Sequence, residues 1–182
     1  MKYPLLLMCF FIASCRTAGR ADGDAAANGR GVGRVAHAEV RGNSLSPLLN
    51  AGDSVKISYG FYDTHEVQRG DIVVCRFSFR QDPVIKLVRA VPGDRFELKD
   101  LGDGGALLLI NGAELKNSSG RPYKFSGKRK QMLSLYAKDY KGVIPANSYL
   151  LLGNLAEGSL DSSRFGLAGR DAIIGKAEKA KR

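Results

Sequence analysis

Histidine is scarce in this chain: its 182 residues include two, His37 and His65. A hydroxyl or thiol nucleophile activated by imidazole needs a histidine that a carboxylate orients. His37 stands in a polar lead-in rich in Ala and Gly, and His65 in the loop Tyr62-Asp63-Thr64-His65-Glu66, neither within an apolar segment. The pattern argues against a histidine triad. Cysteine is equally sparse, at positions 9, 15 and 75. With the first assigned to a leader and the second to modification, no intramolecular disulfide is expected. Cys75, alternating between Val74 and Arg76, has no adjacent base and is not a candidate nucleophile. No Cys/His spacing suits zinc, no glycine loop opens a helix to cradle phosphate, and there is no internal repeat. The reading therefore includes neither metal nor cofactor.

Long apolar runs are also missing. Residues 5–13 form an apolar core after Met1-Lys2, too short for the roughly 20 residues that cross a bilayer. This pattern reads as a cleaved export signal over residues 1–14. Ile12-Ala13-Ser14-Cys15 resembles a bacterial lipobox, which implies that Cys15 is lipidated and becomes the mature first residue. Residues 15–37, rich in Ala, Gly and Arg without periodicity, read as a flexible tether. Acidic residues are outnumbered: the formal charge is +10, and +9 without residues 1–14, where Lys2 is the only charged side chain. Basic clusters at 128–130 and 176–182 lack interleaved aromatics, so nucleic acid is not expected as a partner. Two readings of those clusters stand side by side: attraction to anionic lipid headgroups, or simply solvated charge.

From residue 38 to 177 short apolar runs alternate with Gly, Pro, Asn and Asp turns: 54–58, 72–77, 84–91, 96–99, 107–110, 149–152 and 172–177. Such runs predict a mostly β, antiparallel domain with few or no helices, followed by a basic tail at 178–182. Two residues in it suit catalysis. Ser44 lies between Gly42 and Pro47, where the chain is forced into an exposed turn that can present a hydroxyl. Lys86 sits in Val84-Ile85-Lys86-Leu87-Val88, a β-branched run that reads as a buried strand. A free lysine is neutral in about one molecule in two thousand at pH 7, but desolvation lowers its pKa by several units. A buried lysine can therefore replace histidine as the base.

The wider pattern resembles the bacterial type I signal peptidases, Ser/Lys serine proteases. It comprises Gly42-Asn43-Ser44-Leu45-Ser46-Pro47, Gly52-Asp53, Arg69-Gly70-Asp71-Ile72-Val73-Val74, Lys86 before Pro92-Gly93-Asp94, Asn111-Gly112, and Gly153 through Ser159-Leu160-Asp161-Ser162 to Gly166. The resemblance spans about residues 40–176. It implies Ser44 as nucleophile, Lys86 as general base, and an oxyanion hole from the Ser44 N–H and main chain at Gly42. It implies Ser159 as the serine that hydrogen-bonds the lysine amine, and Asp161 as a structural acid paired with an arginine two residues on. Three departures stand out: Leu45 replaces methionine, Asn154 replaces an aspartate, and Ser163 occupies the arginine position, with Arg164 displaced by one.

The expected function is a membrane-associated endopeptidase that removes leader peptides after small residues from exported preproteins. The compact segment between the lysine and closing boxes suggests the conjugative-transfer branch, whose substrates are pilin-like precursors. The expected location is the extracytoplasmic side of a membrane, held by lipid. An alternative is a catalytically inactive lipoprotein of the same fold that binds peptides or acts as a scaffold, prompted by Asn154 and Ser163. A self-cleaving repressor with the same dyad is disfavoured by the export signal, by the closing box, and by the lack of a helix-turn-helix segment before the domain.

Overall fold

The computed structural model describes residues 33–180. The export signal, Cys15 and most of the tether lie outside the described residues. In chain order the elements are β1 (Val35–Glu39), β2 (Ser54–Tyr59), β3 (Ile72–Cys75), β4 (Val84–Ala90), β5 (Phe96–Asp100), β6 (Gly105–Ile110), β7 (Ala113–Glu114), β8 (Lys124–Ser126), α1 (Gly127–Asp139), β9 (Ser148–Leu152), α2 (Ser162–Phe165), β10 (Ala168–Gly169) and β11 (Ile173–Lys179). Among the described residues the strands form two antiparallel sheets. One has seven strands in the order β1-β2-β11-β3-β4-β9-β10, and the other is built from β5, β6, β7 and β8. The fold is mostly β, as the alternating apolar runs require.

The alternation along each strand of the large sheet separates two cores. Val73, Cys75, Val88, Leu151 and Ile173 pack on one face, and Val55, Ile57, Val74, Leu87 and Ala177 on the other, joined by Val40, Leu45 and Leu49 from the segment before β2. The small sheet and α1 enclose a third core around Phe96, Leu108, Phe125 and Leu133. A carboxylate joins the turns that link the sheets. Asp94, only 4% exposed, accepts Arg69 Nε at 2.6 Å, Asn111 Nδ2 at 2.9 Å and the Val91 N–H at 2.9 Å. Three of the sequence boxes thus meet at one side chain. Burial works against its charge, but these donors outweigh it and hold the carboxyl below the usual range.

The structure corrects the sequence reading at several places. Val35, Ala36 and His37, assigned to the tether, belong to β1, which pairs with β2 from Val35↔Ser58 to Glu39↔Ser54. At the other end β11 runs two residues past 177. Lys176 pairs with Asp71 at 2.9 Å and Lys179 with Asp53 at 2.8 Å, so the described part of the basic tail is sheet and ion pair. Helix α1 was not expected. Its sequence has no proline or β-branched residue and is rich in Lys, Arg, Gln, Met, Leu and Ala, which favour helix. Of its residues only Leu133 is fully buried, so the apolar periodicity that would have announced it is weak.

Candidate active site

Ser44 is held by its loop. Val40 before Ser44 and Leu45 and Leu49 after it, 6%, 2% and 0% exposed, anchor the segment in the core. Asn43 Oδ1 accepts the Ala51 N–H at 3.1 Å, and Val40 exchanges backbone hydrogen bonds with Gly52 and Asp53, closing the loop at its base. Leu45, where the resemblance has methionine, fills the same apolar role. Between these anchors Ser44 is half-buried, and among the described residues its N–H has no hydrogen-bond acceptor. Gly42, at φ 99°, is exposed nearby and carries only main chain.

Lys86 comes from β4, cross-strand from Val73 of β3. Strand alternation places the two side chains on one face of the sheet. The residue is 4% exposed, and its Nζ lies 3.1 Å from Ser44 Oγ, 42 positions away in sequence. Burial lowers the pKa of the amine, while Asp161 and Cys75 push it up and Arg80 lowers it. Desolvation is the dominant influence, and it favours the neutral form. Cys75 is a buried free thiol whose pKa is pushed up to about 12, chiefly by burial, which keeps it protonated and unreactive. His65 Nδ1 is engaged by the Phe61 carbonyl at 2.9 Å and the Thr64 hydroxyl at 3.0 Å, and the exposed His37 lies on edge strand β1. Neither histidine is hydrogen-bonded to the dyad.

The closing segment after β9 meets the Ser44 loop directly. The Asn154 N–H donates to the Ser44 carbonyl at 2.7 Å. Its side-chain amide, in a residue 1% exposed, donates to the Ser46 carbonyl at 2.8 Å and to Ser118 Oγ at 2.6 Å, while Oδ1 accepts the Ser118 N–H at 3.0 Å. The position flagged as a lost charge is a hub of neutral hydrogen bonds. Gly153 permits this approach, because a Cβ there would lie 2.3 Å from Ser159 Oγ and 2.7 Å from the Ser44 carbonyl oxygen.

Asp161 caps α2 and is 1% exposed. Its Oδ1 accepts the Ser163 N–H at 3.1 Å and the Ser163 hydroxyl at 2.6 Å. Its Oδ2 accepts the Ser159 hydroxyl at 2.8 Å, and the Ser159 and Gly153 N–H groups each at 3.2 Å. Ser159, expected to hydrogen-bond the lysine amine, instead donates its hydroxyl hydrogen bond to Asp161. Arg164, expected beside Asp161, is exposed and makes no ion pair with it; only its backbone N–H reaches back, to the Asp161 carbonyl at 2.8 Å. The cation that does enter this network is Arg129 of α1, whose Nε donates to Ser163 Oγ at 2.7 Å. Sequence reasoning placed Arg129 in a headgroup-binding cluster with Lys128 and Lys130. Lys130 instead pairs with Asp100, and Arg129 turns inward. The one sequence signal was its spacing of four from Leu133, which puts both on one helix face. Among the described residues no cluster of His, Cys, Asp and Glu could hold a metal.

A buried amine at hydrogen-bond distance from a serine hydroxyl, with a free N–H beside that serine, is an arrangement suited to acyl transfer. Comparison with known proteins gives the family. Residues 32–180 match the family model for signal peptidase, peptidase S26. Signal peptidase IB of Staphylococcus aureus (strain COL) is 32% identical over 146 residues, covering 75% of this chain and 72% of its own length. Signal peptidase I of Bacillus caldolyticus is 29% identical over 142 residues, 76% of this chain and 75% of its own. Among solved structures, a signal peptidase I from Enterococcus faecalis V583 matches with a TM-score of 0.43 and 22% identity, over 62% of this chain and 97% of its own. The chain belongs to the signal peptidase family, peptidase S26, and is a serine endopeptidase of that family.

Proposed function

We propose that this protein removes leader peptides from exported preproteins, with Ser44 as the nucleophile and Lys86 as the general base. The observation that carries the assignment is the 3.1 Å approach of Lys86 Nζ to Ser44 Oγ inside a site where the lysine is 4% exposed. While protonated, the amine donates to the hydroxyl. Once neutral, its lone pair accepts the hydroxyl proton as Ser44 Oγ attacks the scissile carbonyl. The tetrahedral oxyanion is received by the unengaged Ser44 N–H and by main chain at Gly42. The resulting ammonium returns its proton to the leaving amine. Water, deprotonated by the same lysine, then hydrolyses the acyl-enzyme. Asp161 fixes Ser159 and Gly153 within the closing segment, and Asn154, next to Gly153, holds the nucleophile loop.

Substrates would be exported precursors with small residues before the cut, and pilin-like precursors are the finer assignment, resting on the short segment between the lysine and closing boxes. Attachment to the membrane through a lipid on Cys15 rests on the Ile12-Ala13-Ser14-Cys15 pattern, which lies outside the described residues. Such an anchor confines the enzyme where leader peptides emerge. The inactive alternative was prompted by Asn154 and Ser163, and both side chains are instead engaged in bonds that brace the site.

The test is cleavage of a leader peptide across pH. Ser44→Ala is expected to abolish turnover while keeping thermal stability within about 1 kcal/mol. Lys86→Arg is expected to be inactive, since arginine stays protonated and cannot act as a base. The wild type should show an acidic limb in kcat/KM that reports the lowered lysine pKa, with activity rising as the amine loses its proton. Turnover retained by Ser44→Ala, or by Lys86→Arg, would overturn the assignment.

A further inference from the structure

Arg129 projects from α1 along the same helix face as Leu133, which is 1% exposed. A cation there would ordinarily spread its stem over the protein and return its head to water. Here the head is enclosed. The guanidinium carbon stands 4.6 Å from the centre of the Phe125 ring, one terminal nitrogen donates to the Glu157 carbonyl, and the other is buried without a partner among the described residues. The chain at Gly158 wraps so closely that an added Cβ would lie 1.7 Å from the guanidinium. Nε donates to Ser163 Oγ at 2.7 Å, and that hydroxyl in turn donates to Asp161 Oδ1 at 2.6 Å. A single hydroxyl therefore links a half-buried guanidinium to the 1% exposed carboxylate. The other Asp161 oxygen fixes Ser159 and Gly153, and the next residue, Asn154, holds the Ser44 carbonyl.

We infer that Arg129 is a positioning residue of this site, acting through Ser163 on Asp161 and thereby on the Ser44–Lys86 pair. A helix separate from every sequence box would then be part of the catalytic apparatus. The inference rests on the dyad assignment above. A buried carboxylate without a counter-charge is costly, and Arg164, its neighbour in sequence, is exposed. Arg129 also bears on the base. The groups acting on Lys86 are Asp161 from the closing segment, Cys75 from β3 and Arg80 from the loop after β3, and Asp161 opposes the loss of its proton. Arg129 itself faces Asp161 and Arg164; burial lowers its pKa while Asp161 raises it. A cation bound into the Asp161 network offsets the pull of that carboxylate on the ammonium, leaving desolvation to keep the lysine neutral.

The experiment compares kcat, KM and the acidic limb of kcat/KM for the wild type, Arg129→Gln, Arg129→Lys and Ser163→Ala on one leader peptide, with the folded fraction of each measured by near-ultraviolet circular dichroism. Arg129→Gln is expected to lower kcat by roughly 10- to 100-fold at nearly unchanged KM, the order for one lost positioning contact, and to move the acidic limb to higher pH. Arg129→Lys is expected to return the limb toward the wild-type position by restoring the cation. Ser163→Ala, a small change that leaves α1 intact, is expected to lower kcat without loss of folded protein. The inference is overturned if folded Arg129→Gln keeps the wild-type kcat and limb, or if its loss of activity only follows its loss of folded protein. Should Arg129→Gln not fold, Ser163→Ala decides, and wild-type kcat and limb in that variant overturn it. Ser44→Ala serves as the separate control: activity there would remove the dyad assignment, whereas inactivity there with unchanged Arg129 variants would remove this inference alone.

Discussion

Asn154 shows how one amide can outweigh a family preference. Its nitrogen donates to the Ser46 carbonyl and to Ser118 Oγ, and a carboxylate in its place would set an oxygen against the Ser46 carbonyl oxygen. Asn154→Asp, which restores the residue of the wider pattern, is therefore expected to destabilise this protein by about 1–3 kcal/mol, the cost of unsatisfied buried polar atoms. The main-chain N–H to the Ser44 carbonyl would survive, but loss of the side-chain bond to Ser46, two residues from Ser44, is expected to loosen the loop and lower turnover as well. Thermal melts and leader-peptide assays on the one variant check both, and a variant as stable and active as the wild type would refute the hub role. The approach of Lys86 to Ser44 belongs to this scale too. Its residues were legible because each stood in an informative context, a Gly/Pro turn and a β-branched run. Their distance was not legible, since 42 positions separate them. The same limit applies to Ser163, whose partner Arg129 is 34 positions away.

At the scale of elements, seven strands were readable, whereas β1, β7, β8, β10 and the helices were not. Each apolar run became a strand with ends displaced by one or two residues, because alternation marks a half-buried strand directly. Two-residue strands such as β7 and β10 are too short to alternate, and α1 carries one fully buried residue. The turns between strands repay the same attention. Asp94 gathers donors from the turn before β3, the end of β4 and the β6–β7 turn, which ties the two sheets at their junction. Arg69 is half exposed, so its ion pair is screened and the remaining donors carry much of the effect. Since the folded carboxyl is held below its unfolded value of about 3.9, the unfolded chain binds more protons between the two values. Stability from Asp94 is therefore fully present above the unfolded value and is lost as pH falls through the folded one. Asp94→Asn is expected to cost about 1–3 kcal/mol at pH 7. Its deficit relative to wild type should shrink in acid, as denaturant titrations at a series of pH values would show. A deficit that stays constant from neutral to strongly acidic pH would mean the charge plays no part.

For the whole molecule, the prediction concerns attachment through Cys15. No helix among the described residues is long and apolar enough to cross a membrane. If Cys15 carries the anchor, metabolic palmitate labelling is expected to mark the wild type and to leave Cys15→Ala unmarked, while both release the same folded domain on limited proteolysis before β1. Label on both proteins, or on neither, would contradict the lipid reading. Phe79, 60% exposed, stacks on Phe77 and lies against Phe165, which Phe77 also touches.

The sequence by itself determined the fold class, the order of the boxes and the two residues proposed as the dyad. Those properties are local: a turn that exposes a hydroxyl and a β-branched run that buries an amine are written within a few adjacent positions. Only the tertiary structure decided that Asp94 gathers three boxes, that Asn154 braces the nucleophile loop and that an arginine from α1 enters the Asp161 network in place of Arg164. These are hydrogen bonds between residues far apart in the chain. A polar residue leaves no periodic trace of its partner, so which donors and acceptors meet is settled only once packing has removed water from around them.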